Sequence, residues 1–386
     1  MDDYQRGLRE YAALVGGDAE QDQTVLRAAS PELYDTLVRH GFGGMLAGAE
    51  LTRAQRELAT VAIIATLGGA PRQLARHTNA ALRQDITPEE LRALCGHIAG
   101  YAGFPRALNA LTVIDETLTE AGHARPPVLH RIRLADHETT VAQRGTAGPP
   151  VVLAHALGLD RRMWLPVLDA LAAGRRVFAY DIRGHGSAAS APVPADMARL
   201  GADLIDLLDA LDLDTVHAVG LSYGGAVVQS AAVRAPGRFA SLSLLATTDT
   251  PFPAFADRAR LAEEEGLVAQ VGPTLTRWFT PTALAVNAWG VRYARERVLR
   301  DEVADWAGAW RAFTDFPVRD DFASLTMPAL VVAGGADVST PPELMRGIAE
   351  RLPDATFREV PGAPHMLTLE APDPVAALLT EFLPAS

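Results

Sequence analysis

The chain has 386 residues, 48% of them hydrophobic, and a formal net charge of −12. This length favours two domains, and the hydrophobic content is sufficient for packed cores. The negative charge argues against a nucleic-acid partner, and no apolar run reaches the ~20 residues of a membrane-spanning helix. The segment from Met1 to Arg6 is polar and contains two acids, so no signal peptide is indicated and we expect a cytoplasmic protein.

The single cysteine and the absence of known binding motifs argue against a bound metal or cofactor. Cys95 is the single cysteine, which allows neither an internal disulfide nor a thiol pair. The sequence contains no phosphate-binding GxxxxGK loop, no HExxH pair and no cysteine cluster. We therefore expect neither a metal nor a cofactor.

Residues 1–122 are predicted to form an all-helical domain. Two capping boxes, one beginning at Thr52 and one at Thr87, mark helix starts. The apolar patterns predict helices that include residues 58–67, 72–84, 88–101 and 104–120. The segment 122–127, which contains two prolines, is the predicted linker.

Residues 128–386 are predicted to form an α/β domain, because strands alternate with helices as in a mostly parallel sheet. The predicted strands are an opening hairpin of 128–134 and 139–143, followed by 150–154, 176–180, 215–219, 328–334 and 356–360. The alternation lapses between about residues 246 and 321, where four of the five tryptophans fall. We expect a helical cap there, over the active site, with aromatic side chains that line a pocket.

The segment Gly220-Leu221-Ser222-Tyr223-Gly224 is a G-x-S-x-G motif. It lies between a predicted buried strand and a predicted helix over 226–232, which is the context that the motif requires. Such a turn raises the serine hydroxyl above the sheet at the start of a helix. The motif therefore predicts that Ser222 is a nucleophile.

A serine nucleophile needs a base, and the base needs an orienting acid. Asp337 and His365 each follow a predicted strand, in the chain order Ser, Asp, His that this kind of site has. Both lie on loops past strand ends, where open α/β sheets build their sites. The alternatives are a helix cap for Asp337 and an ordinary surface-loop position for His365. We predict a triad of Ser222, Asp337 and His365.

These motifs resemble the α/β-hydrolase superfamily over residues 128–383 and, within it, the 3-oxoadipate enol-lactone hydrolases. The resemblance rests on residues 156–164 (ALGLDRRMW), 180–186 (YDIRGHG), 220–222 (GLS) and, in the cap, 277–281 (RWFTP). Related esterases, thioesterases and C–C hydrolases share most of this pattern. The segment 306–316 departs from the lactonase pattern, which leaves the substrate open.

The hydrolase resemblance implies roles for further residues. The backbone N–H groups of Leu157 and Tyr223 would form the oxyanion hole, which stabilises the charge of the tetrahedral intermediate. Arg277 and Trp278 would contact the substrate. His155 would have a structural role.

Residues 34–118 resemble the carboxymuconolactone decarboxylase family. The matching segments are 51–58 (LTRAQREL), 74–77 (LARH) and 101–110 (YAGFPRALNA). Alkylhydroperoxidase-like relatives carry a CxxC before the histidine equivalent to His77. Ala70 and Gln73 stand at that spacing here, which excludes thiol peroxidase chemistry.

Acid–base chemistry remains for the first domain. Decarboxylation of a lactone acid needs an electron sink and then a proton donor, and His77 is the predicted donor. Glu57 would orient His77 or relay its proton. Arg56 and Arg76 would hold substrate carboxylates, or they are simply solvated surface charges.

Together the two resemblances predict a bifunctional enzyme of aromatic catabolism, in the β-ketoadipate pathway. A 4-carboxymuconolactone decarboxylase would yield the lactone that a 3-oxoadipate enol-lactone hydrolase opens. The alternative is an esterase- or lactonase-type hydrolase of a biosynthetic pathway, whose N-terminal domain only mediates oligomerisation. A third possibility, a binding protein on a hydrolase scaffold, is disfavoured by the complete triad. The run 61–65, apolar on all sides, favours a homo-oligomer formed through the first domain.

Overall fold

The computed structural model describes residues 2–48, 50–123, 125–314, 316 and 318–385. The predicted linker contains residue 124, and the predicted cap contains residues 315 and 317, which lie outside the described residues. The chain divides into two compact units, Met1–Pro126 and Pro127–Ser386. We call them the helical unit and the sheet unit.

The helical unit contains only helices and their connections among its described residues. The α-helices are α1 (Asp3–Val15), α2 (Ala19–Asp22), α3 (Thr24–Ala29), α4 (Pro31–Thr36), α5 (Arg53–Leu67), α6 (Pro71–Leu82), α7 (Pro88–Ala102) and α8 (Phe104–Glu120). A π-helical segment, Leu37–Phe42, and a 3-10 turn, Met45–Ala47, lie between α4 and α5. The all-helical prediction is confirmed.

Both predicted capping boxes are present. The Gln55 N–H donates to Thr52 Oγ1 at 3.2 Å, and the Thr52 N–H donates to Gln55 Oε1 at 2.9 Å. Glu90 and Thr87 make the same reciprocal pair at 3.1 and 2.7 Å. Each box satisfies N–H groups that a helix start leaves unpaired, so it fixes where α5 and α7 begin.

Two apolar clusters hold the helical unit together. The larger is formed by α5 to α8 and includes the fully buried Leu91, Ile114 and Leu118. The smaller is formed around Tyr11 by the N-terminal helices. In the apolar run 61–65, Ile63 remains 59% exposed, so one face of α5 lies outside the unit's own core.

The sheet unit contains one eight-stranded sheet. Its strands are β1 (Val128–Arg133), β2 (Glu138–Arg144), β3 (Pro150–Ala154), β4 (Arg176–Tyr180), β5 (Val216–Leu221), β6 (Phe239–Leu245), β7 (Ala329–Gly334) and β8 (Ala355–Val360). Their order is β1-β2-β4-β3-β5-β6-β7-β8. The pairs β1–β2 and β2–β4 are antiparallel and the other pairs are parallel, which confirms the mostly parallel sheet.

One strand, β6, is absent from the sequence-based prediction. Its residues Phe239–Leu245 (FASLSLL) are five apolar residues and two serines, and all of them except Ala240 are buried. A short segment that is buried on both faces can belong to a strand or to a buried helix, and periodicity alone does not tell the two apart.

Helices flank the sheet, and five of them form an insertion between β6 and β7. The helices are α9 (Leu165–Leu171), α10 (Met197–Ala210), α11 (Tyr223–Arg234), α12 (Ala254–Glu265), α13 (Leu267–Trp278), α14 (Pro281–Ala285), α15 (Trp289–Arg300), α16 (Val303–Ala312), α17 (Pro342–Arg351), α18 (Leu367–Glu370) and α19 (Pro372–Phe382). We call α12 to α16 the cap. Of the helices described in either unit, none is long and apolar enough to cross a membrane.

Candidate functional site

Ser222 lies at a sharp turn between β5 and α11. Its backbone has φ 55° and ψ −114°, a conformation that costs free energy for a residue with a side chain. Two hydrogen bonds hold the turn: the Ser222 N–H donates to Leu245 O at 2.9 Å, and the Thr247 hydroxyl donates to Ser222 O at 2.6 Å. Strain held in this way is typical of a functional position.

The glycines on either side of Ser222 allow this turn because the backbone passes close to them. A Cβ on Gly220 would lie 2.3 Å from the carbonyl oxygen of Gly224. A Cβ on Gly224 would lie 2.1 Å from the carbonyl oxygen of Ala154, at the end of β3. Any side chain at either position would push β5, α11 and β3 apart.

The structure brings Ser222, His365 and Asp337 together in one chain of hydrogen bonds. His365 Nε2 lies 3.0 Å from Ser222 Oγ, and His365 Nδ1 lies 2.8 Å from Asp337 Oδ2. Asp337 follows β7, and His365 follows the neighbouring strand β8. The carboxyl ends of parallel strands meet at one edge of the sheet, which is why the three loops converge.

Asp337 is fixed by more groups than His365. Its Oδ1 accepts the N–H groups of Ser339 at 2.7 Å and Thr340 at 3.1 Å, and its Oδ2 accepts the Thr340 hydroxyl at 2.6 Å. Burial alone would raise the pKa of Asp337, but His365 and Thr340 hold it below its ordinary value. Asp337 is therefore an ionised acceptor that holds a proton on His365 Nδ1 and leaves Nε2 free to face Ser222.

A pocket opens beside Ser222 and His365. Leu157, from the loop after β3, lines this pocket. Tyr223 is the first residue of α11, so its N–H has no partner within the helix. Of the two residues proposed for the oxyanion hole, Leu157 therefore lines the same pocket as Ser222, and Tyr223 follows Ser222 in the sequence.

The helical unit also brings two predicted residues together. Glu57 on α5 and His77 on α6 form a contact of 2.8 Å between Oε2 and Nδ1. The Glu57 side chain is fully buried, while the His77 side chain is 17% exposed. The second oxygen of Glu57, Oε1, contacts no hydrogen-bonding group among the residues that the structure describes. A buried carboxylate thus orients a histidine ring that reaches solvent.

Arg56 and Arg76 do not join this pair through any hydrogen bond in the described part of the chain. Arg56 donates to the carbonyl oxygens of Leu51 at 3.2 Å and Met45 at 2.8 Å, and Arg76 donates to the Tyr11 hydroxyl at 3.2 Å. Both arginines thus bind groups of the N-terminal segment and α1.

A cavity in the helical unit is lined by residues of α5, α6 and α8. Ala70, Arg106 and Asn109 are among its lining residues, and Glu57 and His77 are not. Arg106 and Asn109 lie in the segment 101–110 that carries the resemblance to the decarboxylase family, but that resemblance gave neither residue a predicted role.

The sequence of the chain matches two known protein families. Residues 149–372 match the α/β-hydrolase fold family. The chain belongs to that family. Residues 31–116 match the carboxymuconolactone decarboxylase family, so a domain of this second family is fused N-terminal to the α/β hydrolase.

Several individual proteins are similar to this chain. The 3-oxoadipate enol-lactonase 1 of Acinetobacter baylyi is 29% identical over 237 residues, which is 61% of this chain and 88% of that protein. The crystal structure of the enol-lactonase from Burkholderia xenovorans LB400 is 26% identical, with a TM-score of 0.63 over 66% of this chain and 99% of that one. A thermophilic esterase from Thermogutta terrifontis is 28% identical, with a TM-score of 0.62 over 66% of this chain and 97% of that one. The α/β hydrolase is thus distantly related to enol-lactonases.

Two arginines of the cap face the pocket of this α/β hydrolase. Arg277, which the sequence resemblance indicated, and Arg258, which it did not, line the pocket together with Trp278. The Arg258 guanidinium lies 4.7 Å from the centre of the Trp310 ring, and Arg277 donates to the Thr274 hydroxyl at 3.1 Å.

These two arginines lack acidic partners among the described residues. Burial, and secondarily the charge of Arg277, lowers the pKa of Arg258 to about 10, and burial lowers the pKa of Arg277. The residues that line the pocket include no aspartate or glutamate. Two cations without a counter-charge make this pocket suited to a negatively charged ligand.

The histidine after β3 has a structural role, as expected. His155 is fully buried, and its Nε2 accepts the Ile182 N–H at 2.9 Å while its Nδ1 donates to Ala156 O at 2.8 Å. Burial lowers the pKa of His155 to about 4, so the ring is neutral. It links the loop after β3 to the loop after β4.

One cluster in the sheet unit has the composition of a metal site. Asp136, His137 and Asp203 have ligand atoms within 4.8 Å of one another. Arg183 donates to both carboxylates, at 2.9 Å to Asp203 Oδ1 and 3.1 Å to Asp136 Oδ2, and it holds the pKa of Asp136 well below its ordinary value. The positive charge that these acids require is thus supplied by an arginine.

Proposed function

We propose that the chain is a bifunctional enzyme, a 4-carboxymuconolactone decarboxylase joined to a 3-oxoadipate enol-lactone hydrolase. The observation that carries the hydrolase half is the contact chain from Ser222 through His365 to Asp337, at 3.0 and 2.8 Å. It opens onto a pocket that contains two arginines with no acidic partner among the described residues. The decarboxylase half is supported by the family match of residues 31–116 and by the Glu57–His77 pair.

Lactone opening follows from the order of these contacts. Ser222 Oγ attacks the lactone carbonyl carbon while His365 Nε2 takes its proton. The carbonyl oxygen becomes an oxyanion, which the N–H groups of Leu157 and Tyr223 stabilise. Collapse of the intermediate breaks the ring C–O bond, and His365 returns its proton to the leaving oxygen, which becomes an enol and then a ketone.

Water completes the cycle by hydrolysing the acyl-enzyme. His365 takes a proton from the water while the water oxygen attacks the acyl carbon, and it then protonates Ser222 Oγ as that oxygen leaves. Asp337 stays ionised throughout and stabilises the protonated imidazole. The product carries one new carboxylate and retains any that the substrate had.

The two cap arginines support a carboxylate-bearing lactone over a neutral ester. A guanidinium binds a carboxylate through paired N–H donors, and this interaction strengthens where water is displaced. Arg258 and Arg277 would hold the side-chain carboxylate of the lactone while its ring carbonyl meets Ser222. Trp278 and Trp310 would cover the apolar part of the ring.

Decarboxylation in the helical unit would rest on proton delivery. Loss of carbon dioxide leaves negative charge that the lactone delocalises, and the carbon must then be protonated. His77 would donate that proton, and the buried Glu57 would hold the ring and restore its charge. No thiol and no nucleophile is needed for this step.

An alternative function is supported by a different observation. The cavity of the helical unit is lined by neither Glu57 nor His77, and large apolar side chains of α5, α7 and α8 are exposed. They are Ile63, Leu67, Tyr101, Phe104 and Leu108, exposed by 58 to 86%. A second copy of the chain would cover such a face, so we propose a homo-oligomer formed through this unit. In the alternative, assembly is the unit's whole role, and the hydrolase acts on another ester or lactone.

A single assay separates the two proposals. The purified full chain is incubated with 4-carboxymuconolactone, and carbon dioxide and 3-oxoadipate are measured together. Release of both supports the bifunctional enzyme. Release of neither product, by a chain that still hydrolyses another ester or lactone through Ser222, would leave only the alternative. Sedimentation of the wild-type chain and of a Phe104→Ser variant tests the homo-oligomer, which the variant should weaken.

A further inference from the structure

The Leu157 N–H belongs to a tight turn formed by residues 156–159. The Leu159 N–H donates to Ala156 O at 3.2 Å and closes the turn. Gly158 has φ +71°, which favours glycine, and a Cβ there would lie 2.3 Å from the ring of Trp306 on α16. The direction of the Leu157 N–H therefore depends on how the two ends of this turn are held.

The end of the turn that leads into Asp160 is held by a tyrosine of the cap. Tyr293 on α15 accepts the Asp160 N–H at 3.1 Å. Its own proton is directed at Asp160 Oδ1, 2.9 Å away, or at Asp160 O, 3.1 Å away. Burial holds the pKa of Tyr293 well above its ordinary value, so the hydroxyl remains a donor as well as an acceptor.

Ion pairs surround the same aspartate, but they act mainly on its side chain. Arg162 donates to both carboxylate oxygens, with a shortest distance of 2.8 Å, and Arg297 Nε lies 3.2 Å from Oδ2. Arg297 also donates to Asp301 at 3.1 Å. These charges anchor the Asp160 side chain, whereas the Tyr293 hydroxyl contacts the backbone that continues directly into the turn.

We propose that Tyr293 is a positioning residue for the oxyanion hole. By binding the backbone and the side chain of Asp160, its hydroxyl fixes the turn so that the Leu157 N–H points at the developing oxyanion. The cap thereby contributes to the chemical step as well as to the pocket. This inference rests on the proposed serine-hydrolase function.

The test is Tyr293→Phe in the full chain. The variant lacks only the hydroxyl and keeps the ring, which stacks on Trp289 with centroids 5.4 Å apart. Complete loss of one oxyanion donor lowers kcat by about 100- to 1,000-fold, so a displaced donor should lower kcat by about tenfold or more. KM should change by less than about twofold, because the oxyanion forms only after binding.

A second readout isolates the oxyanion hole. Phenylboronic acid forms a bond between Ser222 Oγ and boron, and the resulting tetrahedral anion places an oxygen where the oxyanion forms. Its affinity should fall in Tyr293→Phe by about the same factor as kcat. A change that only destabilised the fold would lower the melting temperature without this parallel loss.

Two further variants serve as controls. Tyr180→Phe removes another buried tyrosine hydroxyl, one that contacts no hydrogen-bonding group among the described residues, and it should leave kcat and boronate affinity near wild-type values. Asp160→Asn removes the charge that the arginines bind but keeps an oxygen for Tyr293. It should lower the melting temperature while kcat changes by less than about threefold. A larger fall in kcat and boronate affinity would overturn the inference even if Tyr293→Phe does not fold, because the charges would then position the turn.

The inference is overturned if Tyr293→Phe keeps kcat and boronate affinity within about twofold of wild type. It is also overturned if Asp160→Asn loses as much boronate affinity as Tyr293→Phe, because the charges would then position the turn. Failure of the proposed function looks different: the wild-type chain would show no hydrolysis that depends on Ser222.

Discussion

Replacement of Arg258 by glutamine should change which substrates the hydrolase accepts. Arg258 lines the pocket with no acidic partner among the described residues, so a substrate carboxylate would supply its counter-charge. At about 4 Å and an effective dielectric constant of ~20, such a pair gains about 4 kcal/mol. Desolvation offsets part of this gain, and hydrogen bonds to charged groups retain about 1.5–3 kcal/mol.

A loss of that size corresponds to a fall of about 10- to 100-fold in kcat/KM for a carboxylate-bearing lactone. The assay compares this lactone with p-nitrophenyl acetate, a neutral ester whose kcat/KM should change by less than about threefold. Arg258→Lys should lie in between, because it keeps the charge but loses the planar contact with Trp310.

Arg260 provides the matched control for this prediction. It lies on the same helix, α12, but is exposed and pairs with Glu264 at 2.7 Å and Asp257 at 3.3 Å. Arg260→Gln should alter neither substrate. Equal losses on the charged and the neutral substrate in Arg258→Gln, or no loss on either, would refute the electrostatic reasoning.

Three further predictions address the triad, the helical unit and pH. Ser222→Ala should lower hydrolysis by about a millionfold without unfolding the chain, and activity of more than a few per cent would contradict the assignment. His77→Ala should stop carbon dioxide release from the carboxylated lactone but not hydrolysis of the decarboxylated one, and product analysis shows which step is lost. Burial raises the pKa of Asp301 to about 8 in the folded state, whereas in the unfolded chain this carboxyl ionises above about pH 4. The free energy of unfolding therefore falls as the pH rises from about 4 to about 8. Asp301→Asn should therefore raise the melting temperature more at pH 9 than at pH 5, and equal shifts at both would contradict this.

The parts of the site that could be predicted are those encoded within a few residues. The glycines around Ser222, the position of Asp337 just past one strand and that of His365 just past another are local signals. The same holds for the capping boxes of α5 and α7. Each depends on backbone geometry over less than two turns or on a strand end, so the tertiary structure has little room to override it.

The parts that could not be predicted depend on which helix face meets the pocket. Arg258 and Arg260 are two residues apart on α12, so they point to different sides of the helix, yet neither has a sequence pattern that marks the buried side. The contact between Tyr293 and Asp160 joins residues 133 positions apart. It exists because the cap folds back over the loop after β3, and no local pattern reports that.

The register of the sheet is what turns separate local signals into one site. Gly334 at the end of β7 pairs with Val360 at the end of β8, and Asp337 and His365 then follow at fixed distances along their loops. A slip of one residue would move one loop by about 3.3 Å along the sheet. That displacement is larger than the 2.8 Å between His365 Nδ1 and Asp337 Oδ2, so this hydrogen bond would be lost. A slip would also reverse the face on which each side chain packs, because side chains alternate along a strand. Every residue of β7 is buried, so each side chain would then have to fit a differently shaped packing site. The core packing that fixes the register therefore also fixes the hydrogen bonds on which hydrolysis would depend.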